Sequence, residues 1–169
     1  VMVLARVHSG QTSIAALRGS AVNQDGQSSG LTAPNGPSQT KLLLEAFRHG
    51  HTAPEQLKYI AVHGTGTALG DPIEIGAVGQ ALQQPSMGRV ALGSIKSCYG
   101  HTEGAAGLTG LLMATLVVAK LDTAPTLHLR NINAYIEGAV ARWDNEHQLA
   151  VALPLSLIHI SEPTRQRQP

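Results

Sequence analysis

Two histidines stand in matching local patterns, and an imidazole can move a proton or donate a hydrogen bond near neutral pH. His63 lies in the segment AVHGTGTALGDPIE, and His101 lies in the segment GSIKSCYGHTEGAAG. In each segment a short apolar run precedes a glycine-rich turn that carries the histidine, and a helical pattern follows. Open α/β sheets place their functional sites where strand ends meet helix starts. The pair therefore indicates a site that stabilises developing negative charge or transfers protons, although each histidine alone would more often be structural.

The glycines around these histidines favour a close approach between the backbone and a ligand. Gly64, Gly66 and Gly100 can adopt positive φ, and a helix N-terminus presents unpaired N–H groups to a ligand. The turn at residues 64–70 has the spacing GxGxxxG, which differs from the GxGxxG fingerprint of dinucleotide-binding proteins and lacks the Gly-Lys-Ser/Thr of a P-loop. A nucleotide-binding enzyme that uses this turn is an alternative hypothesis.

Three further features could carry chemistry, and each has an ordinary structural interpretation beside it. Lys96 lies close to His101 in sequence, where its charge could set the local potential. Cys98 is the single cysteine, which excludes an intrachain disulfide and a cysteine-rich metal site, and a small buried thiol is the default interpretation. His49 and His51 have no cysteine or carboxylate cluster beside them, so solvated side chains are expected there and no metal site is predicted.

Strand patterns alternate with helical patterns along the chain, which predicts an α/β fold with a mostly buried sheet. A loop is predicted at residues 23–37, and loops of that length are often functional. We expect the helix at residues 38–49 to end with Gly50 as its C-cap, and the helix at residues 71–83 to begin with Asp71 as its N-cap. The predicted strands are residues 1–7, 14–22, 58–62, 90–93, 125–129 and 148–152, and the other helices are residues 54–57 and 105–121.

The composition is that of one globular domain. The chain has 169 residues, of which 43% are hydrophobic and 14% are charged. A net charge of +1 and an aromatic content of 3% argue against a protein that binds nucleic acid. The apolar stretch at residues 105–121 is shorter than a membrane span and contains Lys120, so we expect a helix buried on every side and no membrane partner.

The two ends of the chain carry different expectations. The opening VMVLARV has no initiator Met and no signal-peptide pattern, so it is predicted to be a strand inside a longer protein. The segment LSLIHISEPTR resembles the translation of a sequencing-library adapter, and residues 155–169 are therefore predicted to be a tail without function. The alternative is a short strand at residues 155–160 followed by a polar tail.

Four segments together resemble the C-terminal half of a β-ketoacyl synthase (ketosynthase) domain, as found in type I polyketide and fatty acid synthases. The resemblance extends over residues 1–154 and implies one partial domain of the thiolase-like superfamily. The implied fold is the C-terminal half of a layered α/β/α/β/α arrangement, in a parent protein that forms a homodimer. The four segments are GSAVNQDGQSSGLTAPNGPSQ (19–39), AVHGTGTALGDPIEIGAV (61–78), GSIKSCYGHTEGAAG (93–107) and PTLHLRNINAYI (125–136).

The resemblance implies an acyltransferase that catalyses decarboxylative Claisen condensation of an acyl thioester with malonyl-acyl carrier protein. His63 and His101 match the two family histidines, which donate to the thioester oxygen where enolate charge develops. Lys96 matches the lysine that tunes the charge of the catalytic site. Glu103 matches the supporting acid that follows the second histidine, and Gly64, Gly66 and Gly100 support the two turns.

The implied partners are acyl carrier protein and its acyl and malonyl thioesters. Thr65 and Thr67 match the threonines that contact the phosphopantetheine arm, which the carrier protein brings as part of the substrate. No cofactor is expected to bind the chain directly. The expected location is the cytoplasm, with a plastid left open.

The chain also departs from the family pattern. The family's nucleophilic cysteine lies in a Thr-Ala-Cys-Ser-Ser-like turn that this sequence lacks, and Cys98 stands where many relatives have Asn. The Gly/Phe-rich loop that closes the family's domain is also missing. We therefore expect this chain to be inactive by itself. Two alternatives stay open, namely a non-catalytic ketosynthase-like partner and a starter decarboxylase in which Gln replaces the cysteine.

Overall fold

The computed structural model describes residues 12–26, 28, 30, 33–83, 90–123, 126–127, 132 and 134–137. A helical turn is also present at residues 134–137. Helices and strands alternate through the central part of the chain, which confirms the predicted α/β class. In chain order the elements are α1 (Gly36–Gly50), a 3₁₀ turn (Pro54–Gln56), β1 (Tyr59–Ala61), α2 (Gly70–Ala81), β2 (Ala91–Gly93), α3 (Lys96–Tyr99), a second 3₁₀ turn (Glu103–Ala105) and α4 (Ala106–Lys120).

The two strands are parallel neighbours, and α2 is the crossover between them. Tyr59 pairs with Ala91, and Ala61 pairs with Gly93. The Val62 N–H donates to the Gly93 carbonyl at 2.9 Å, directly after the last paired residue of β1. Because parallel strands end at the same edge of a sheet, the segments that follow β1 and β2 meet there.

The hydrophobic core lies between α2, the sheet and α1. Ile75, Val78, Leu82 and Val90 are buried together, and Phe47 of α1 packs against them among other partly buried side chains. Helix α2 packs against both the sheet and α1. Its residues are therefore mostly apolar, without the polar face of a surface helix. The core therefore fixes the start of α2 relative to the strand ends.

Helix α1 differs from its predicted bounds at both ends. It begins at Gly36, because the Asn35 side chain accepts the Ser38 N–H at 3.0 Å as an N-cap. The C-cap is His51 at φ 46°, so the expectation that Gly50 caps the helix is wrong. Gly50 is buried, and a Cβ there would lie 3.3 Å from the Gly19 nitrogen. Gly50 thus packs closely against the Gly19 segment and does not form a left-handed turn.

Helix α2 begins at Gly70, and the expectation that Asp71 is its N-cap is also wrong. The Asp71 carboxylate accepts the Gly66 N–H instead, at 3.2 Å to Oδ1 and 3.1 Å to Oδ2. The hydroxyl of Thr67 accepts the Gly70 N–H at 3.1 Å. The first turn of α2 is therefore tied to the preceding glycine-rich turn by side chains from both segments.

The predicted strand at residues 14–22 is not a strand in the structure. The segment lies along α1 and has neither helical nor strand hydrogen bonding. Polar contacts hold it there, such as the one between the Ser20 carbonyl and His49 Nδ1 at 2.8 Å. The predicted strands at residues 1–7 and 148–152 and the tail at residues 155–169 lie outside the described residues. Of the predicted strand at 125–129, only residues 126 and 127 are described, and neither is in a strand.

Helix α4 is present as predicted, but it is not buried on every side. Ala106 is its buried residue, whereas Leu108 is 51% exposed, Leu116 is 55% exposed and Val118 is 55% exposed. The 18 residues Glu103–Lys120 are long and apolar enough to cross a membrane, but the core helix of a soluble protein meets the same criteria of length and composition. One such helix is weak evidence for a membrane protein. The expected burial was wrong because an apolar sequence pattern does not show which other segments cover the helix.

Candidate active site

The two histidines lie next to each other at the carboxyl edge of the sheet. His63 follows β1 by two residues, and His101 follows the short helix that begins after β2. Their ring centroids are 5.2 Å apart and their planes are inclined by 85°, which is an edge-to-face contact. The parallel pairing of β1 and β2 brings together two side chains that lie far apart in sequence.

Lys96 contacts His63 twice. Its Nζ lies 3.4 Å from His63 Nδ1 and also donates to the His63 carbonyl oxygen. An ammonium group can only donate hydrogen bonds, so Nδ1 is the acceptor in this contact. The neutral His63 ring therefore carries its hydrogen on Nε2.

His101 has the same tautomer for a different reason. The Glu103 N–H donates to His101 Nδ1 at 3.3 Å, across a tight turn in which Gly100 has φ 74° and Glu103 has φ 45°. The contact uses the Glu103 backbone and not its carboxylate. Since Nδ1 is again the acceptor, the neutral His101 ring also carries its hydrogen on Nε2. In its neutral form each of the two imidazoles thus has one N–H donor, at Nε2.

The environment of His63 favours its neutral form. Partial burial is the main factor that lowers its pKa below the ordinary value of 6.5, and the Lys96 charge lowers it further. His101 acts in the same direction, whereas the carboxylates of Glu74 and Asp71 oppose the shift. The net shift is downward, so His63 is an uncharged hydrogen-bond donor at neutral pH.

Glu74 anchors the backbone on which His63 stands. Its Oε1 accepts the His63 N–H at 2.6 Å, and its Oε2 accepts the Gly64 N–H at 3.0 Å. Sequence reasoning missed this role, since Glu74 stands three residues after the predicted N-cap Asp71, where an acid is a common helix-start signal. A carboxylate that follows a turn rich in unpaired N–H groups is the signal that could have found it.

Ser94 links the two turns from the side of β2. Its hydroxyl donates to the carbonyls of His63 at 3.3 Å and Gly64 at 3.4 Å, and it accepts the Lys96 N–H at 3.4 Å. Gly64 has φ 49°, and a Cβ there would lie 2.9 Å from the Ser94 Cβ. Both the backbone conformation and the contact with Ser94 therefore require glycine at position 64.

An open cavity of about 720 Å³ adjoins the site on the side of α1 and α2. This volume lies within the usual range for small-molecule sites. The hydroxyls of Thr65 and Thr67 lie 3.4 Å apart on its wall, and the Thr67 hydroxyl is also the acceptor for Gly70. The lining includes His63, Thr65, Thr67, Leu42, Leu43 and Leu69.

The glycine-rich turn is poorly suited to a nucleotide phosphate. A phosphate would need the backbone N–H groups of the turn, and the protein's own side chains already accept those of its three glycines. The two carboxylates among those acceptors would also repel an anion. The pairs are Glu74 with His63 and Gly64, Asp71 with Gly66, and Thr67 with Gly70. This geometry argues against the alternative of a nucleotide-binding enzyme.

The other residues considered from the sequence lie outside this arrangement. Cys98 is exposed on α3, and its Sγ lies 3.8 Å from the Ser97 hydroxyl. His49 Nδ1 lies 2.8 Å from the Ser20 carbonyl, and its Nε2 lies 2.8 Å from an Arg48 nitrogen. His49 therefore ties the end of α1 to the segment beside it.

Comparison with known proteins points to one family. Residues 14–130 match the family model described as β-ketoacyl synthase, C-terminal domain. The chain is 44% identical over 147 residues to a phenolphthiocerol/phthiocerol polyketide synthase of Mycobacterium tuberculosis, covering 85% of this chain and 10% of that protein. It is 42% identical over 137 residues to the polyketide synthase GfsE of Streptomyces halstedii, covering 78% of this chain and 4% of that protein. The chain thus spans a small part of the curated relatives that it matches.

Solved structures give the same result. The oxazolomycin ketosynthase domain OzmH KS7 of Streptomyces albus matches with a TM-score of 0.71 and 37% identity, over 76% of this chain and 23% of that one. The ketosynthase from module 6 of the bacillaene synthase of Bacillus subtilis matches with a TM-score of 0.66 and 37% identity, over 70% and 22% of the two chains. The partial α/β fold is therefore that of a ketosynthase.

Proposed function

The chain belongs to the family of β-ketoacyl synthase C-terminal domains, and from this membership we propose that it supplies the two-histidine part of a ketosynthase active site in polyketide synthesis. The proposed reaction is decarboxylative condensation of an acyl thioester with a malonyl thioester on acyl carrier protein. The observation that carries the proposal is the edge-to-face pair of His63 and His101, with the hydrogen of each neutral ring on Nε2.

Two Nε2–H donors suit the decarboxylation step. When the malonyl carboxylate leaves as CO₂, its bonding electron pair forms an enolate, and negative charge builds on the thioester oxygen. Hydrogen bonds from His63 and His101 to that oxygen stabilise the charge without a proton having to leave either ring. The lowered pKa of His63 keeps this donor uncharged at neutral pH.

The condensation step then forms the new carbon–carbon bond. The enolate carbon attacks the carbonyl carbon of the acyl thioester, the C–S bond of that thioester breaks, and the sulfur leaves as a thiolate. The thiolate belongs to a nucleophilic cysteine that we place in another segment of the synthase, because this chain lacks the family's Thr-Ala-Cys-Ser-Ser-like turn and its single cysteine, Cys98, is exposed on α3. On this proposal the 169-residue chain does not condense substrates by itself.

The cavity beside His63 would receive the substrate arm. Phosphopantetheine is a long chain of amides and apolar carbons, and the cavity offers the Thr65 and Thr67 hydroxyls beside the apolar side chains of Leu42 and Leu69. This mixture of polar and apolar lining suits such an arm. Acyl carrier protein is the proposed partner, and a homodimer is the proposed state of the parent synthase.

Substitution of His63 tests the proposal. In the full-length synthase, His63→Ala is expected to reduce condensation by about 100-fold or more, because one of the two enolate donors is lost. Loading of the acyl group onto the synthase should stay within a few-fold of wild type. The measurement is product formation from acyl and malonyl carrier-protein thioesters, with acyl loading followed by mass spectrometry.

The matched control is His49→Ala, which removes a histidine at the end of α1, outside the histidine pair. Its condensation rate should equal that of the wild type. A His63→Ala synthase that condenses at the wild-type rate would show that the histidine pair has another role. A wild type that releases CO₂ from malonyl thioester without forming a condensation product would instead favour a starter decarboxylase, which would use the same pair.

A further inference from the structure

We propose that Ser94 is a positioning residue for His63, and that its hydroxyl holds the His63 turn in register with Lys96. The inference rests on the proposed function, because it assigns Ser94 to the same histidine pair. Ser94 touches the backbone of His63 and Gly64, so it acts through His63 and not on a substrate.

Because β1 ends at Ala61, strand pairing does not extend to His63, and side chains hydrogen-bond to its peptide groups instead. On one side the Glu74 carboxylate accepts the N–H groups of His63 and Gly64 at 2.6 and 3.0 Å. On the other side the His63 carbonyl accepts hydrogen bonds from Ser94 and from Lys96 Nζ. The peptide group between His63 and Gly64 is therefore clamped at its N–H and at its C=O.

Ser94 connects this clamp to the helix that carries Lys96. Its single hydroxyl hydrogen is shared between two carbonyls, and its oxygen accepts the Lys96 N–H at 3.4 Å. The Lys96 side chain returns to the His63 carbonyl and to Nδ1, so the contacts form a closed ring through Ser94. Removal of the hydroxyl opens that ring while leaving every charge of the site in place.

The expected effect of Ser94→Ala is a change in rate together with a change in pH dependence. Loss of one shared hydrogen bond should lower kcat for condensation about 3- to 10-fold, with KM for the malonyl substrate nearly unchanged. The charged or titratable groups that influence His63 are Lys96, Glu74, His101 and Asp71, and all four remain. A looser turn admits water and moves Lys96 away, so the His63 pKa rises toward 6.5 and the acid limb of the pH–rate profile moves to higher pH.

The experiment uses the full-length synthase with Ser94→Ala and Ser94→Cys, where cysteine keeps a similar size but is a much weaker donor. Thr115→Ala is the control, since its hydroxyl bonds within α4 to the Leu111 carbonyl. Condensation is measured across pH. The protonation of His63 is measured separately, from the pH dependence of its modification by diethyl pyrocarbonate, which reacts with neutral imidazole and is detected by peptide mass spectrometry.

Both serine variants should shift the kcat profile and the modification profile in the same direction, and the control should shift neither. Profiles that coincide with the wild type, or a Ser94→Cys synthase with the wild-type rate, would overturn the positioning role. If the wild type does not condense at all, the proposed function fails, and the modification profile still decides the role of Ser94. A rate loss without any pH shift would indicate a general structural effect and would also overturn the inference.

Discussion

At the scale of single residues, His63 is held between a cation and a carboxylate that act on different parts of it. The Lys96 ammonium contacts the ring nitrogen Nδ1 as well as the backbone carbonyl, whereas the Glu74 carboxylate contacts His63 only at its backbone N–H. The cation therefore acts directly on ring protonation, and the carboxylate mainly fixes position. Burial is the main cause of the lowered pKa of His63, and the Lys96 charge lowers this pKa further against the opposing carboxylates of Glu74 and Asp71.

Lys96→Met tests this division of roles. Removal of the cation should raise the His63 pKa toward 6.5, because Lys96 is the main charge that lowers it. The acid limb of the condensation profile should move to higher pH, and the largest fall in rate should occur at the acidic pH values of that limb. The measurement is kcat across pH in the full-length synthase, with Lys41→Met on the exposed side of α1 as the control. An acid limb that stays in place would show that burial alone sets the His63 pKa.

At the scale of elements, the strand–turn–helix pattern that surrounds His63 could be predicted from the sequence. β1, α2 and β2 occur where the periodicity places them, and both histidines follow the predicted strands. The acceptors for the turn could not be predicted in the same way. A carboxylate near the start of a helix can cap that helix or bind the segment before the helix, and the sequence pattern is the same in both cases. In α2, the carboxylates of Asp71 and Glu74 accept N–H groups of the segment that precedes the helix.

Gly50 and His51 also differ from what the sequence pattern predicts. Glycine after a helical pattern is typical of a C-cap because it adopts positive φ at low cost. In this chain His51 takes the left-handed conformation, and Gly50 lets the preceding segment approach the helix. The sequence cannot separate these uses of glycine, because one is local and the other depends on a residue distant in sequence.

Two glycine-to-alanine substitutions test whether close contact and positive φ require glycine at position 64. Gly64→Ala should destabilise the protein and reduce condensation, because position 64 has φ 49° and a Cβ there would lie 2.9 Å from Ser94. Gly76→Ala is the matched control within α2, where a Cβ meets no atom within 4 Å and alanine favours the helix by about 0.5–1 kcal/mol. Thermal unfolding and condensation rate measure both variants. Equal stabilities would mean that the turn relaxes around the added methyl group.

At the scale of the whole molecule, the described residues leave large apolar surfaces uncovered. Leu108, Leu112 and Leu116 recur every four residues on α4, and all three are at least 40% exposed. Ile14 and Leu17 of the segment beside α1 are 75% and 65% exposed. Clusters of exposed apolar side chains are unusual on a monomeric protein, and we expect other segments of the chain or a partner to cover these faces.

The leucines of α4 provide a test of that interpretation. The 169-residue chain expressed by itself is expected to associate through this face, because burial of apolar surface is favourable and nothing among the described residues covers it. Substitution of Leu108, Leu112 and Leu116 by Gln should increase the monomeric fraction in sedimentation velocity and reduce binding of a hydrophobic dye. Ile75→Gln, at a core position that is 5% exposed, is the contrasting control and should increase aggregation. If the unsubstituted chain is a monomer with a cooperative thermal transition, α4 is covered within the chain itself, and the triple variant should then lower its stability.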